Sequence, residues 1–97
     1  MAQRVFSVTV LAGHRTILIE KPQGSTRIFF SIRVLADDTK WAMSKISFGD
    51  PFFYSYYIID GPAKYFEAKG EGIYQGDIWV RNASDVKLTY VVSEILI

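Results

Sequence analysis

Apolar and polar residues alternate with a period of two along most of the chain. Phe6, Val8 and Val10 lie on one side of a run whose other side carries Ser7 and Thr9. Ile17 and Ile19 oppose Thr16, Leu18 and Glu20. Ile28, Phe30, Ile32 and Val34 alternate with Arg27, Phe29, Ser31 and Arg33, and Ile46 and Phe48 with Lys45 and Ser47. Near the end, Val86, Leu88, Tyr90 and Val92 alternate with Lys87, Thr89 and Ser93. Successive Cβ atoms of a strand point to opposite sides of a sheet, so this period belongs to strands with one buried face. No stretch keeps the longer period of a helix. Residues 37–44, opened by Asp37-Asp38, come nearest and read as a loop or one short turn.

Turn chemistry punctuates these runs. Ala12-Gly13-His14 and Pro22-Gln23-Gly24-Ser25 stand where hairpin turns are expected. Gly49-Asp50-Pro51 and Asp60-Gly61-Pro62 are stronger stops, because proline has no N–H for a ladder. Lys69-Gly70-Glu71-Gly72 and Asn82-Ala83-Ser84-Asp85 complete the set. The spacing predicts about eight strands, over 3–12, 15–21, 26–36, 43–48, 52–59, 63–69, 73–82 and 86–96. The expected fold is all-β: one antiparallel sandwich domain over 1–97. Eight strands suit a jelly roll; seven, with one pair merged, suit an immunoglobulin-like sandwich.

Composition sharpens this by exclusion. The 97 residues contain no cysteine, which removes disulfides, thiolate catalysis and Cys-ligated metals. A net charge of +1 gives no overall electrostatic case for nucleic acid. No apolar run approaches the ~20 residues of a membrane helix. No basic start with an apolar stretch behind it opens the sequence, so no signal peptide is expected. No nucleic-acid or membrane partner is expected either.

Little in the sequence points to catalysis. The one histidine, His14, sits in a turn beside Arg15, and no Gly-x-Ser-x-Gly elbow is present. Glu67, Glu71 and Asp77 surround a Gly-rich turn, where carboxylates are ordinarily solvated. Asp37, Asp38, Asp50, Asp60, Asp77 and Asp85 fall in or near loops, but no D-x-D-x-D-G calcium loop occurs. They read as turn residues that bond their own backbone. Gly70-Glu71-Gly72 lacks the lysine of a phosphate loop, and Asn82-Ala83-Ser84, though a glycosylation pattern, reads as an Asx turn. No catalytic residue, metal or cofactor is expected.

The aromatic residues carry more information. Phe52-Phe53-Tyr54-Ser55-Tyr56-Tyr57, read as a strand, puts rings on both faces: Phe52, Tyr54 and Tyr56 on one, Phe53 and Tyr57 on the other. A strand in a two-sheet sandwich buries one face, so the second needs its own cover. The end of the chain, 90–97, is also apolar on both sides. Together these predict a homo-oligomer, a trimer first, with Phe53, Tyr57, Tyr90, Val92, Ile95 and Ile97 at the interface. The alternative is a carbohydrate-binding module that stacks sugars on Trp41 with Tyr54, Tyr56 or Tyr74; Trp79 could stack likewise, but inside a strand it reads first as core.

Residues 70–85 read as a turn, then Gly76-Asp77-Ile78-Trp79-Val80, then an Asn/Ser turn ahead of a long amphipathic last strand. This style resembles small β-sandwich virion proteins of tailed bacteriophages, among them head-decoration (cement) proteins and small tail or fibre modules. The resemblance implies a non-enzymatic structural subunit that oligomerises on a capsid or tail protein. It implies a place in the virion or in the cytoplasm of the producing cell.

Overall fold

The computed structural model describes residues 2–36, 42–61, 65–71 and 74–97, with 61 and 65–71 as backbone. The described residues hold eight strands and no helix. One antiparallel sheet runs in the order β1 (Ala2–Val10), β8 (Leu88–Leu96), β3 (Arg27–Ala36), β6 (Tyr65–Glu71). The second, also antiparallel, runs β2 (Arg15–Ile19), β7 (Ile78–Asn82), β4 (Ala42–Phe48), β5 (Tyr57–Gly61). The two pack into a β-sandwich.

The alternating residues fill the space between the sheets. Val10, Ile32, Val34, Leu88, Tyr90 and Val92 from one sheet meet Ile19, Ile46, Ile78 and Val80 from the other. Phe6 and Val8 pack at the margin. Tyr90 and Val92 are therefore core residues with no exposed surface, not interface residues. β8 is an inner strand, flanked on both sides, so its apolar side chains are used within the sandwich.

Several sequence expectations shift for local reasons. The turns at 12–14 and 22–25 form, with Gly13 and Gly24 at φ of 76° and 70°, but neither closes a hairpin. Each instead carries the chain from one sheet to the other, and among consecutive strands only β4 and β5 pair. Turn residues encode a reversal of direction, not which strand will be the neighbour. A bulge between Ile17 and Ile19 buries both Leu18 and Ile19. A second, between Arg27 and Phe29, reverses the expected pattern there: Ile28 is exposed and Arg27 is fully buried. The strand expected over 73–82 is regular only from Ile78.

Buried Arg27 ties two connections to strand β8. Its Nε donates to Glu94 Oε2 at 2.7 Å, and its Nη atoms donate to the carbonyls of Tyr74 (2.8 Å), Gly76 (3.1 Å) and Glu20 (2.9 Å). Gln75 completes the clasp by exchanging two hydrogen bonds with the Arg27 backbone. Every guanidinium nitrogen thus has an acceptor, which is what a buried cation requires. A smaller polar bridge spans the core, where the hydroxyls of Ser44 and Tyr90 lie 2.6 Å apart.

Candidate functional site: an aromatic loop over the outer face of one sheet

The segment expected as a strand over 52–59 is a loop as far as residue 56, and β5 begins only at Tyr57. The cause is Asp50. Its carboxylate accepts the backbone N–H groups of Phe52 (2.9 Å), Tyr54 (2.7 Å) and Ser55 (3.3 Å), and its carbonyl accepts that of Phe53 (3.3 Å). Those amides are the donors a ladder would have used, and Pro51 has none to offer. Burial pushes the Asp50 carboxyl up, but the N–H groups of Phe52, Ser55, Tyr54 and Phe53 outweigh it and hold it below its ordinary value of 3.8. Gly49 enters the turn at φ 78°, and a Cβ there would strike the Tyr74 hydroxyl.

Phe53 is the anchor. It adopts φ of 56°, unusual for a bulky residue, and is only 7% exposed although it lies outside the core cluster between the sheets. Ser47, on the outward side of β4, is fully buried, and its hydroxyl donates to the Asp50 carbonyl at 2.7 Å. The loop thus folds back over the outer face of the β2–β7–β4–β5 sheet. That leaves the neighbouring rings outside: Phe52 is 63% exposed, Tyr54 88% and Tyr57 67%, and Tyr56 and Ile58 are exposed as well. The Phe52 and Tyr54 rings stand 5.8 Å apart at 33°.

Beneath the rings runs a row of cations. Arg81 on β7 stands directly opposite Arg15 on β2 and Lys45 on β4. All three take the outward positions of an alternation whose inward positions are Val80, Asn82, Ser44 and Ile46. Like charges opposite one another are unfavourable. Two of the three are covered by rings: Arg15 Cζ lies 5.9 Å from the Phe52 centroid and Lys45 Nζ 4.5 Å from that of Tyr56. Among the described residues none of the three has a carboxylate at ion-pairing distance. Trp79 also faces outward here, half-buried, across from Ile17 and Ser47, and is not the core residue expected.

The residues singled out from sequence are thus dispersed. Tyr54 and Tyr56 share the loop, whereas Tyr74 packs edge-on against Phe48 at the end of the core, 5.2 Å between centroids. Trp41 lies outside the described residues, as do Asp37 and Asp38. Of the interface set, Phe53 is buried beneath the loop, Tyr57 is exposed on β5, and Ile95 and Ile97 belong to the opposite sheet and its end. The cations of the Arg15–Arg81–Lys45 row were not singled out. Their signal was an outward cation in each of three runs, and it becomes legible only with the register.

His14 is exposed in the β1–β2 turn and lines an open depression of about 290 Å³ with Val8, Thr9 and Arg15. Among the described residues no three His, Cys, Asp or Glu side chains gather as metal ligands. Asn82 is fully buried, its amide donating to the carbonyls of Val10 and Val86, and Ser84 N–H closes the expected Asx turn on Asn82 Oδ1. No helix among the described residues is long and apolar enough to cross a membrane. No protein-family model and no curated protein matches the chain.

Proposed function

We propose that the chain is a non-enzymatic assembly subunit that acts through protein–protein contacts made by residues 52–58. One observation carries this reading: five of those seven residues, Phe52, Tyr54, Tyr56, Tyr57 and Ile58, expose large apolar or aromatic side chains on the loop fixed in place by Asp50 and on the start of β5. Contiguous exposed patches of this kind mark interaction surfaces, and tyrosines are their commonest anchors. A loop already ordered before contact loses little entropy on binding.

The setting we propose is a phage-like particle, with the subunit on a capsid or tail protein, in the virion or in the cytoplasm of the cell that makes it. The fold we propose is the jelly roll rather than the immunoglobulin-like sandwich. The strand orders β1-β8-β3-β6 and β2-β7-β4-β5, with a single consecutive pair, support two interleaved Greek keys. Jelly rolls occur in both capsid and lectin domains, so the fold is compatible with the role without assigning it.

Copies of the chain are expected to associate at the β5 edge, where Tyr57 and Ile58 are exposed. Light scattering across a dilution series reads the mass. A closed oligomer, a trimer first, that dissociates in Tyr57→Glu supports the reading. A monomer at every concentration removes self-assembly from it. The neighbouring exposed Phe52 and Tyr54 rings, tilted at 33° to one another, favour a second reading, a sugar-stacking platform. Tryptophan fluorescence titrated with neutral glycans tests it, and a saturable shift abolished by Tyr54→Ala would favour it.

A further inference from the structure

We infer that the face formed by Phe52, Tyr54 and the Arg15–Arg81–Lys45 row docks onto a protein surface that presents carboxylates. This rests on the assembly reading and specifies the chemistry of the partner. Three observations carry it. The cations occupy directly opposed positions on three adjacent strands, so the backbone of Arg81 stands about 5 Å from that of Arg15 on one side and of Lys45 on the other, the spacing of neighbouring strands. Among the described residues no carboxylate compensates them. The rings beside them project outward, Tyr54 most of all at 88% exposure.

The face suits a partner unlike itself. Packing it on a second copy about a two-fold axis would bring one cation row against another, and like charges facing across an interface cost several kcal/mol. Arginine offers a planar fork that matches a carboxylate. Tyrosine, tryptophan and arginine together are the usual composition of a protein-binding hot spot. A projecting ring such as Tyr54 fits a pocket on a protein better than the flat underside of a sugar chain. Nucleic acid is the poorer match, because three cations would neutralise only about three phosphates and give weak, strongly salt-dependent binding.

The test uses the full chain and a fluorescein-labelled Glu-Glu-Leu-Glu-Glu peptide, read by anisotropy. Polygalacturonate, oligo(dT) and phosphatidylserine vesicles represent the competing classes, and the Lys-Lys-Leu-Lys-Lys peptide is the charge control. The acidic peptide is expected to bind and the basic one not, with affinity falling as salt rises. Arg81→Glu is expected to weaken binding at least about tenfold. Tyr54→Ala is expected to weaken it about threefold or more. Lys21→Glu, an equal charge change away from this face, is expected to leave it unchanged. Circular dichroism and melting of each variant establish that it is folded. The inference is overturned if the acidic peptide does not bind, if Lys21→Glu weakens it as much as Arg81→Glu, or if any competing class binds more tightly through the same residues. Its failure is separable from that of the assembly reading, because the oligomer mass and its response to Tyr57→Glu are measured without any acidic probe.

Discussion

The Ser44–Tyr90 bridge makes a sharp quantitative test of the core. The two hydroxyls lie 2.6 Å apart, on β4 of one sheet and β8 of the other, and both residues have no exposed surface. Tyr90→Phe keeps the ring and removes the hydroxyl, leaving Ser44 without its side-chain partner. An orphaned buried polar group costs about 1–3 kcal/mol. Ser44→Ala is expected to cost about as much for the reciprocal reason. The double variant removes both groups, so it should lose less than the sum of the single losses, with a coupling of about 1 kcal/mol. Burial, opposed in part by the bond to Ser44, pushes the Tyr90 hydroxyl from 10.0 up to about 12. The folded state therefore holds this proton more tightly than the unfolded chain. Its contribution is complete below pH 10.0 and is lost as pH rises from there to about 12. Over that window the wild type should lose about 3 kcal/mol more than Tyr90→Phe. Urea unfolding at pH 8 and at intervals from pH 10 upward measures all four proteins. Superimposable alkaline limbs for wild type and Tyr90→Phe, or single losses that simply add, would refute the reasoning.

Other consequences are as direct. Arg27→Leu should destabilise the fold by about 3–5 kcal/mol, because it leaves Glu94 buried with only Arg4, itself half-exposed, at 3.2 Å; thermal melting reads the loss, and a change under about 1 kcal/mol would contradict the clasp. Asp50→Ala should release the amides of Phe52, Tyr54 and Ser55 to rapid hydrogen exchange while leaving those of β8 protected. In the wild type the lowered Asp50 carboxyl keeps the loop bonded above pH 3.8 and releases it as pH falls through its lower folded value; an amide titration of Tyr54 and Ser55 by NMR follows this. Gly49→Ala should unfold at lower temperature, since the new Cβ meets both a left-handed φ and the Tyr74 hydroxyl.

Periodicity exposed the strands and most of the core, because burial of one face imposes a two-residue repeat that needs no knowledge of partners. Phe30, Ile32, Val34 and Leu88 were legible for this reason. Pairing was not legible: Gly13 and Gly24 mark turns in either a hairpin or a crossing. Bulges were equally hidden, and one of them turned Arg27 from an outward residue into a buried side chain with four hydrogen bonds. The aromatic loop failed as a strand because strand propensity in 52–57 reflects ring packing, whereas Asp50 acts on backbone amides. Tyr54 and Tyr56 share the loop, and the cation row beside them needed the register of three strands.

The pairing of β1 with β8 sets Ala2 beside Leu96, about 5 Å apart between Cα atoms. A few residues of linker from Leu96 to Ala2 would convert this widely separated pair into a β-hairpin. New ends could be opened in the exposed Gln23-Gly24 turn, between strands that lie in different sheets. Such a circular permutant would close one of the longest loops of the fold at the outset, and folding rate rises as contacts become local. The new ends would stay at the same pole as the old ones, where Thr26 exchanges two backbone hydrogen bonds with Ile97, and the aromatic loop would be kept intact.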